Sequence, residues 1–181
     1  FTGGGSGGHT MPALAMIEAL KDNFHENRIP HKIYYLGSKK GIERKLVIGE
    51  DITYIPVASG KLRRYFSILN FFDLFNILFG VIQSVFLVKK IRPSLLISMG
   101  GFVSVPPVIG AKLNGIPVII HEQTINAGLA NRIAGKFADT VALTFEESRD
   151  FFPVKKCAVT GIPLRKNIFK GSPRTFIEKY N

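Results

Sequence analysis

Thr2-Gly3-Gly4-Gly5-Ser6-Gly7-Gly8-His9, running into a helical pattern over 11–23, decides how the rest of the chain is read. Gly3, Gly5 and Gly8 satisfy G-x-G-x-x-G between an apparent strand and a helix. In that arrangement, backbone N–H groups and the helix dipole receive a phosphate. The plainer alternative is a glycine-rich turn that only lets strand and helix pack closely. A dinucleotide site would want an acidic residue at the tip of the second strand, but that tip reads Gly37-Ser38-Lys39-Lys40, which counts against a nicotinamide enzyme.

Outward from this stretch, short β-branched runs at 33–36, 52–57, 95–98, 118–121, 140–143 and 158–160 read as buried parallel strands. Helical patterns at 11–23, 67–91, 105–113, 128–137 and 146–151 lie between or after them. Pro12 and Pro106 suit helix starts, and Pro93 marks a stop. The alternation predicts an α/β fold, a Rossmann-like doubly wound parallel sheet. Ligands of such sheets bind beyond the carboxyl ends of the strands.

Two further loops sit at those ends. Gly100, Gly101 and Ser104 precede Pro106-Pro107 and form a second candidate cradle for a diphosphate, or a turn that needs glycine for backbone reasons alone. In the other, Glu122 is placed to orient a substrate hydroxyl or accept its proton, with Gln123, Thr124 and Asn126 adding hydrogen-bonding capacity. A solvated loop carboxylate is the commonplace alternative. His9 falls in the first helical turn, where the positive end of the helix disfavours an imidazolium. It is either a general base or a capping residue.

Composition narrows the classes. The 181 residues hold 24 Lys+Arg against 13 Asp+Glu, a net charge of +11, so an acidic partner is expected. With 46% hydrophobic and 20% charged residues, one compact domain is expected and disorder is excluded. The single Cys157 excludes a disulfide scaffold and a cysteine zinc site. Nothing resembles a nucleic-acid-binding pattern, so no nucleic acid partner is expected. The opening at Phe1 and the short polar close at 176–181 suggest part of a longer chain.

From Tyr65 to Val88 the sequence is almost continuously apolar. Length alone would permit a membrane span. Asp73 and the strand that begins near Leu95 favour a helix within a βαβ unit instead. Asp73, Asn76, Gly80, Gln83 and Ser84 gather on one face, leaving an apolar arc. Part of that arc is expected to cover the sheet. The surplus, Phe72, Phe75 and Phe79 among it, is expected to meet an anionic membrane surface, with Lys61, Arg63 and Arg64 before it and Lys89, Lys90 and Arg92 after it.

Taken together, Gly4 to His9 with Pro12, Met99-Gly100-Gly101-Phe102-Val103-Ser104, His121-Glu122-Gln123 with Gly128-Leu129-Ala130-Asn131, and Gly161-Ile162-Pro163-Leu164-Arg165 resemble the N-terminal half of the bacterial MurG glycosyltransferases. The resemblance runs in order over nearly the whole chain. It implies the acceptor half of an inverting, metal-free GT-B enzyme without cofactor, which moves N-acetylglucosamine from its UDP conjugate to lipid I on the cytoplasmic face of the bacterial plasma membrane. Residues 1–163 would form the acceptor and membrane-associating domain, and 164–181 the linker into a C-terminal donor-binding domain. This half alone would be inactive.

Carried over residue by residue, Ser6, Gly7 and Gly8 would touch the donor, with Thr124 and Asn126 beside them and Arg165 on the donor phosphate. His9 and Glu122 would share the catalytic roles. Gly100, Gly101, Ser104 and Gln123 would serve the acceptor diphosphate. The chain departs from the family pattern at Thr124 and Ile162, where Asn is usual. Two other readings fit the same residues: a non-catalytic membrane-recruiting half of a two-subunit glycosyltransferase, and a diacylglycerol glycosyltransferase.

Overall fold

The computed structural model describes residues 1–60 and 69–170, the side chains of 69–72 and 169–170 excepted. Six parallel strands are present: β1 (Tyr34–Gly37), β2 (Thr53–Pro56), β3 (Leu96–Ser98), β4 (Val118–Glu122), β5 (Thr140–Leu143) and β6 (Cys157–Val159). β1 pairs with β2, and β3 to β6 pair in sequence order. Thr2 joins the two groups by parallel bridges to Leu36 and Ser98. Its amide donates to the Ile97 carbonyl at 2.9 Å, its carbonyl accepts from the Met99 amide at 2.8 Å, and its hydroxyl donates to the Leu36 carbonyl at 2.8 Å.

The sheet therefore reads β2-β1-Thr2-β3-β4-β5-β6. From Thr2 the chain runs first to β1 on one side and later to β3 on the other. That reversal places a topological switch point at the carboxyl ends of the Thr2 segment and β3.

Five α-helices connect the strands: α1 (Gly7–Glu26), α2 (Ile42–Val47), α3 (Leu69–Ile91), α4 (Val105–Leu113) and α5 (Leu129–Phe137). Successive β3 residues Leu96 and Ile97 belong to different apolar clusters, and successive strand side chains point to opposite faces, so the sheet is covered on both. One core joins Ile97, Met99 and Tyr35 to Ala13, Leu14 and Ile17 of α1. The other joins Leu96, Ile120 and Val141 to Val88, Val108 and Ala134 of α3, α4 and α5.

Several expectations need correction. α1 begins at Gly7 with Ser6 as its N-cap, so Pro12 lies inside the helix and not at its start. β2 and β6 are the edge strands and are not buried as the sequence reading expected: β2 has exposed ends, and Ala158 and Val159 of β6 are exposed. Residues 146–151 form a 3₁₀ segment, and α2 was not foreseen.

The largest correction concerns α3. Its inward face is the one bearing small and polar residues. Gly80 and Ser84 are buried, a Cβ on Gly110 of α4 would lie 2.8 Å from the Ser84 Cβ, and Gln83 donates to the Pro56 carbonyl and accepts from the Ala58 amide. The bulky residues turn outward instead: Leu74, Phe75, Leu78, Phe79, Ile82 and Phe86 are all exposed, Phe86 to 68%. Phe75 and Phe79 thus turn outward as expected; what differs is that the small and polar residues Gly80, Gln83 and Ser84, and not part of the bulky apolar arc, form the inward seam, because close approach of two helices rewards small side chains there. By length and composition α3 could cross a membrane, but the seam with α4 and the parallel strands on either side hold it within the domain.

Candidate active site

At the switch point the first two glycine-rich turns interlock. The Gly4 amide donates to the Gly100 carbonyl at 3.2 Å, and a Cβ on Gly101, whose φ is +81°, would stand 2.1 Å from the Gly4 carbonyl oxygen. Only glycine fits that apposition. Ser104 closes its own turn, its hydroxyl donating to the Gly101 carbonyl at 2.8 Å, and is fully buried. Gly100 packs against the Asn131 side chain.

Beneath the first turn lies Glu43, a residue no sequence signal singled out. Its side chain leaves α2 and reaches the β1 tip, accepting from the Gly5 amide at 3.2 Å, the Ser38 amide at 2.9 Å and the Ser38 hydroxyl at 2.6 Å. Burial by itself would raise its carboxyl. The hydrogen bonds from Ser38 and Gly5 outweigh that and hold it below the ordinary value near 4.5. An acid does arrive at the tip of this strand, then, but it faces inward and fixes the glycine turn.

A cavity of about 560 Å³ opens here, lined by Gly5, Ser6 and His9 on one side and by Gly101, Thr124 and Asn131 on the other. The His9 Nδ1 lies 2.9 Å from the Met99 carbonyl and 3.0 Å from the Gln123 Oε1. Gly7, half-buried, and Gly8, exposed, begin α1 just before His9 and do not line the cavity.

Glu122 is 2% exposed and its carboxylate is fully engaged. Oε1 accepts from the Thr124 amide and hydroxyl at 3.0 and 2.8 Å, and Oε2 from the Gly128 amide and Asn131 Nδ2 at 3.2 and 3.0 Å. The carboxylate thus ties the loop after β4 to the start of α5. The Asn126 carbonyl oxygen, 2.9 Å from the Thr124 hydroxyl, is the competing acceptor for its one proton, and Asn126 itself is exposed and does not line the cavity. Gln123 is turned toward Met99, His9 and His121.

The remaining expected residues stand elsewhere. Arg165 does not line the cavity: its guanidinium pairs with Glu18 of α1 at 3.4 Å and with Glu50 at 3.2 Å. Lys61, Arg63 and Arg64 lie outside the described residues, as does the Phe72 side chain. Phe75 and Phe79 lie on the exposed face of α3, and Lys89, Lys90 and Arg92 are exposed at its end. Among the described residues no group of three His, Cys, Asp or Glu side chains could hold a metal ion.

Such a site, formed by strand-to-helix turns at the switch point of a parallel sheet, defines a Rossmann-like α/β ligand-binding domain of the kind found in GT-B glycosyltransferases. Residues 1–143 match the glycosyltransferase family 28 N-terminal domain, and the chain belongs to that family. It is 47% identical over 172 residues to the UDP-N-acetylglucosamine--N-acetylmuramyl-(pentapeptide) pyrophosphoryl-undecaprenol N-acetylglucosamine transferase of Clostridium novyi, covering 95% of this chain and 46% of that one. A Bacillus thuringiensis transferase of the same description is 45% identical over 95% of this chain and 47% of its own. The crystal structure of Acinetobacter baumannii MurG superposes with a TM-score of 0.72 at 27% identity, over 91% of this chain and 45% of that one. Anabaena HepE, solved with UDP, shares the fold at a TM-score of 0.66 and 14% identity, over 99% of this chain and 48% of that one. The chain spans about half the length of the curated relatives it matches.

Proposed function

We propose that this protein is the acceptor-side half of an inverting glycosyltransferase that moves N-acetylglucosamine from UDP-N-acetylglucosamine to lipid I, forming lipid II for peptidoglycan. The observation that carries the reading is His9. Its Nδ1 faces two carbonyl oxygens, which leaves Nε2 without a protein partner among the described residues on a ring that lines the cavity.

In the reaction the acceptor hydroxyl gives its proton to the His9 Nε2. Its oxygen attacks the anomeric carbon from the face opposite the diphosphate, the bond from that carbon to the phosphate oxygen breaks, and UDP departs. Negative charge grows on the leaving diphosphate, and the free amides of the first turn of α1 provide donors for it. Ser6, Gly7 and Gly8 would meet the donor, with Thr124 lining the cavity across from Ser6. Gly101 marks the acceptor side. Glu122 acts as a positioning residue that holds the loop carrying Thr124. Most of the donor would be bound by a C-terminal domain, with Arg165 in the linker leading to it.

The membrane enters through α3. Its outward Leu74, Phe75, Leu78, Phe79, Ile82 and Phe86, with Lys89, Lys90 and Arg92 at the end, suit a peripheral seat on anionic lipid at the cytoplasmic face, where lipid I is presented.

The test is transfer of radiolabel from UDP-N-acetylglucosamine to a short-chain lipid I analogue, by this chain alone and by this chain supplied with the C-terminal half of the Clostridium novyi relative. Transfer only with both halves is expected. No transfer with both halves folded and associated would overturn the reading. Transfer to diacylglycerol in place of lipid I would reassign the acceptor.

A further inference from the structure

Behind His9 runs a chain of side-chain hydrogen bonds with a single direction. The Gln123 Nε2 lies 2.9 Å from the Met99 carbonyl oxygen and 3.2 Å from the His121 carbonyl oxygen. Two carbonyl oxygens demand an N–H, so the Gln123 amide cannot be flipped without setting its own oxygen against both. With the amide fixed, Oε1 must face His9, and it does so at 3.0 Å. The Met99 carbonyl oxygen makes the same demand of His9 independently, at 2.9 Å from Nδ1.

On the far side, the Gln123 Nε2 meets the His121 Nδ1 at 3.3 Å, and the His121 Nε2 meets the Gly161 carbonyl oxygen at 2.9 Å. A carbonyl oxygen only accepts, so His121 carries its proton on Nε2 and accepts on Nδ1. His121 is 1% exposed, and burial pushes its imidazolium form down, so the ring is neutral as this pattern requires. The links then run in one sense: the His9 Nδ1–H is shared between Met99 and the Gln123 Oε1, one Gln123 Nε2 proton goes to Met99 and the other is shared between the His121 carbonyl and Nδ1, and the His121 Nε2–H goes to Gly161.

We propose that Gln123 and His121 are positioning residues that hold the His9 imidazole in its Nδ1–H tautomer, so that Nε2 faces the cavity as a proton acceptor. The proposal deepens the reading of His9 as the base and rests on it for its catalytic consequence. It also assigns Gln123 a role behind the site, in place of contact with an acceptor diphosphate. Gly161 follows β6 and opens the segment that leads to Arg165, so the state of His9 is tied to where the backbone leaves the sheet.

Ring-nitrogen NMR of the ¹⁵N-labelled chain reads the tautomer without turnover. The expected result is a protonated Nδ1 and a bare Nε2 on His9, and the reverse at His121. Gln123→Met removes one of the two acceptors at Nδ1 and leaves the Met99 carbonyl, so it should shift the His9 tautomer ratio measurably toward Nε2–H without abolishing the Nδ1–H form. Gln123→Glu keeps an acceptor opposite Nδ1 while losing the donors to Met99 and His121, so it should retain the Nδ1–H form. In the two-half assembly Gln123→Met should lower kcat by about two- to tenfold, short of the ~10²–10⁴-fold that a general base contributes, with KM for UDP-N-acetylglucosamine within about twofold. Gln123→Glu should lose less.

A wild-type His9 protonated on Nε2, or a tautomer unmoved in both Gln123→Met and His121→Phe, overturns the proposal. If Gln123→Met fails to fold, the wild-type spectrum and His121→Phe still decide it. Should the tautomer follow Gln123 while His9→Ala retains full transfer, the relay stands as geometry and the base reading fails.

Discussion

Glu43 shows how much of this site is held by a residue that never meets the cavity from the front. Three donors converge on a carboxylate that is otherwise buried, and removing its charge weakens all three bonds while leaving the shape unchanged. Glu43→Gln should cost about 1–3 kcal/mol at neutral pH in urea denaturation. The pH dependence has a definite sign. Because the folded carboxyl sits below its ordinary value near 4.5, its contribution is present above that pH and lost as pH falls through the folded value. The wild-type and Glu43→Gln stability curves should therefore converge in acid. His121 acts at higher pH: its folded value lies below 6.5, so the unfolded chain takes up a proton first and stability declines as pH drops through that value. A His121→Phe chain should lack that part of the decline. His9 and Glu122 were legible in the sequence because they flank the turns at the carboxyl ends of strands, His9 in the first turn of α1 and Glu122 at the end of β4. Glu43 was not, since within Ile42-Glu43-Arg44-Lys45 it looks like any solvated helix carboxylate and only the folded chain turns it inward.

At the scale of elements, the strands and the outward turn of Phe75 and Phe79 were legible, and the small, polar inward seam of α3 was not. Short β-branched runs have few ways to be satisfied other than a buried parallel sheet. A long apolar helix has two, and here the neighbour decides: α4 offers Gly110, so α3 answers with Gly80 and Ser84 and sends its phenylalanines outward. Two substitutions separate the faces. Gly110→Val would drive a side chain into the Ser84 backbone and should cost about 1–3 kcal/mol in thermal or urea unfolding. Phe79→Ser paired with Phe86→Ser, on the exposed face, should change stability by no more than about 0.5 kcal/mol each while reducing sedimentation with phosphatidylglycerol vesicles. A large stability loss in that pair would place both rings in the core.

Across the whole molecule, under the proposed membrane role, the net charge of +11 and the exposed apolar helix would make separate contributions to one encounter. The charge part is screened over about 8 Å at physiological salt, and the apolar part is not. Vesicle binding should thus fall as salt rises from about 0.05 to 0.5 M, then level off at a residual set by α3; binding that vanishes entirely would make the helix irrelevant. The doubly wound order was legible from strand and helix alternation, whereas the part played by Thr2 was not, because a single bridging residue leaves no periodic trace.

The interlocked Gly4 and Gly101 turns bear on the thermodynamics of capture. A phosphate-receiving loop that is loose in solution must be immobilised when its ligand arrives, and that lost freedom is subtracted from affinity. Here two loops from opposite sides of the switch point already brace one another through backbone contacts, so a ligand seated between them finds its cradle prepaid in entropy. Calorimetry of UDP-N-acetylglucosamine or a lipid I analogue should accordingly assign any large ordering signature to the closing of two domains, and very little of it to these turns.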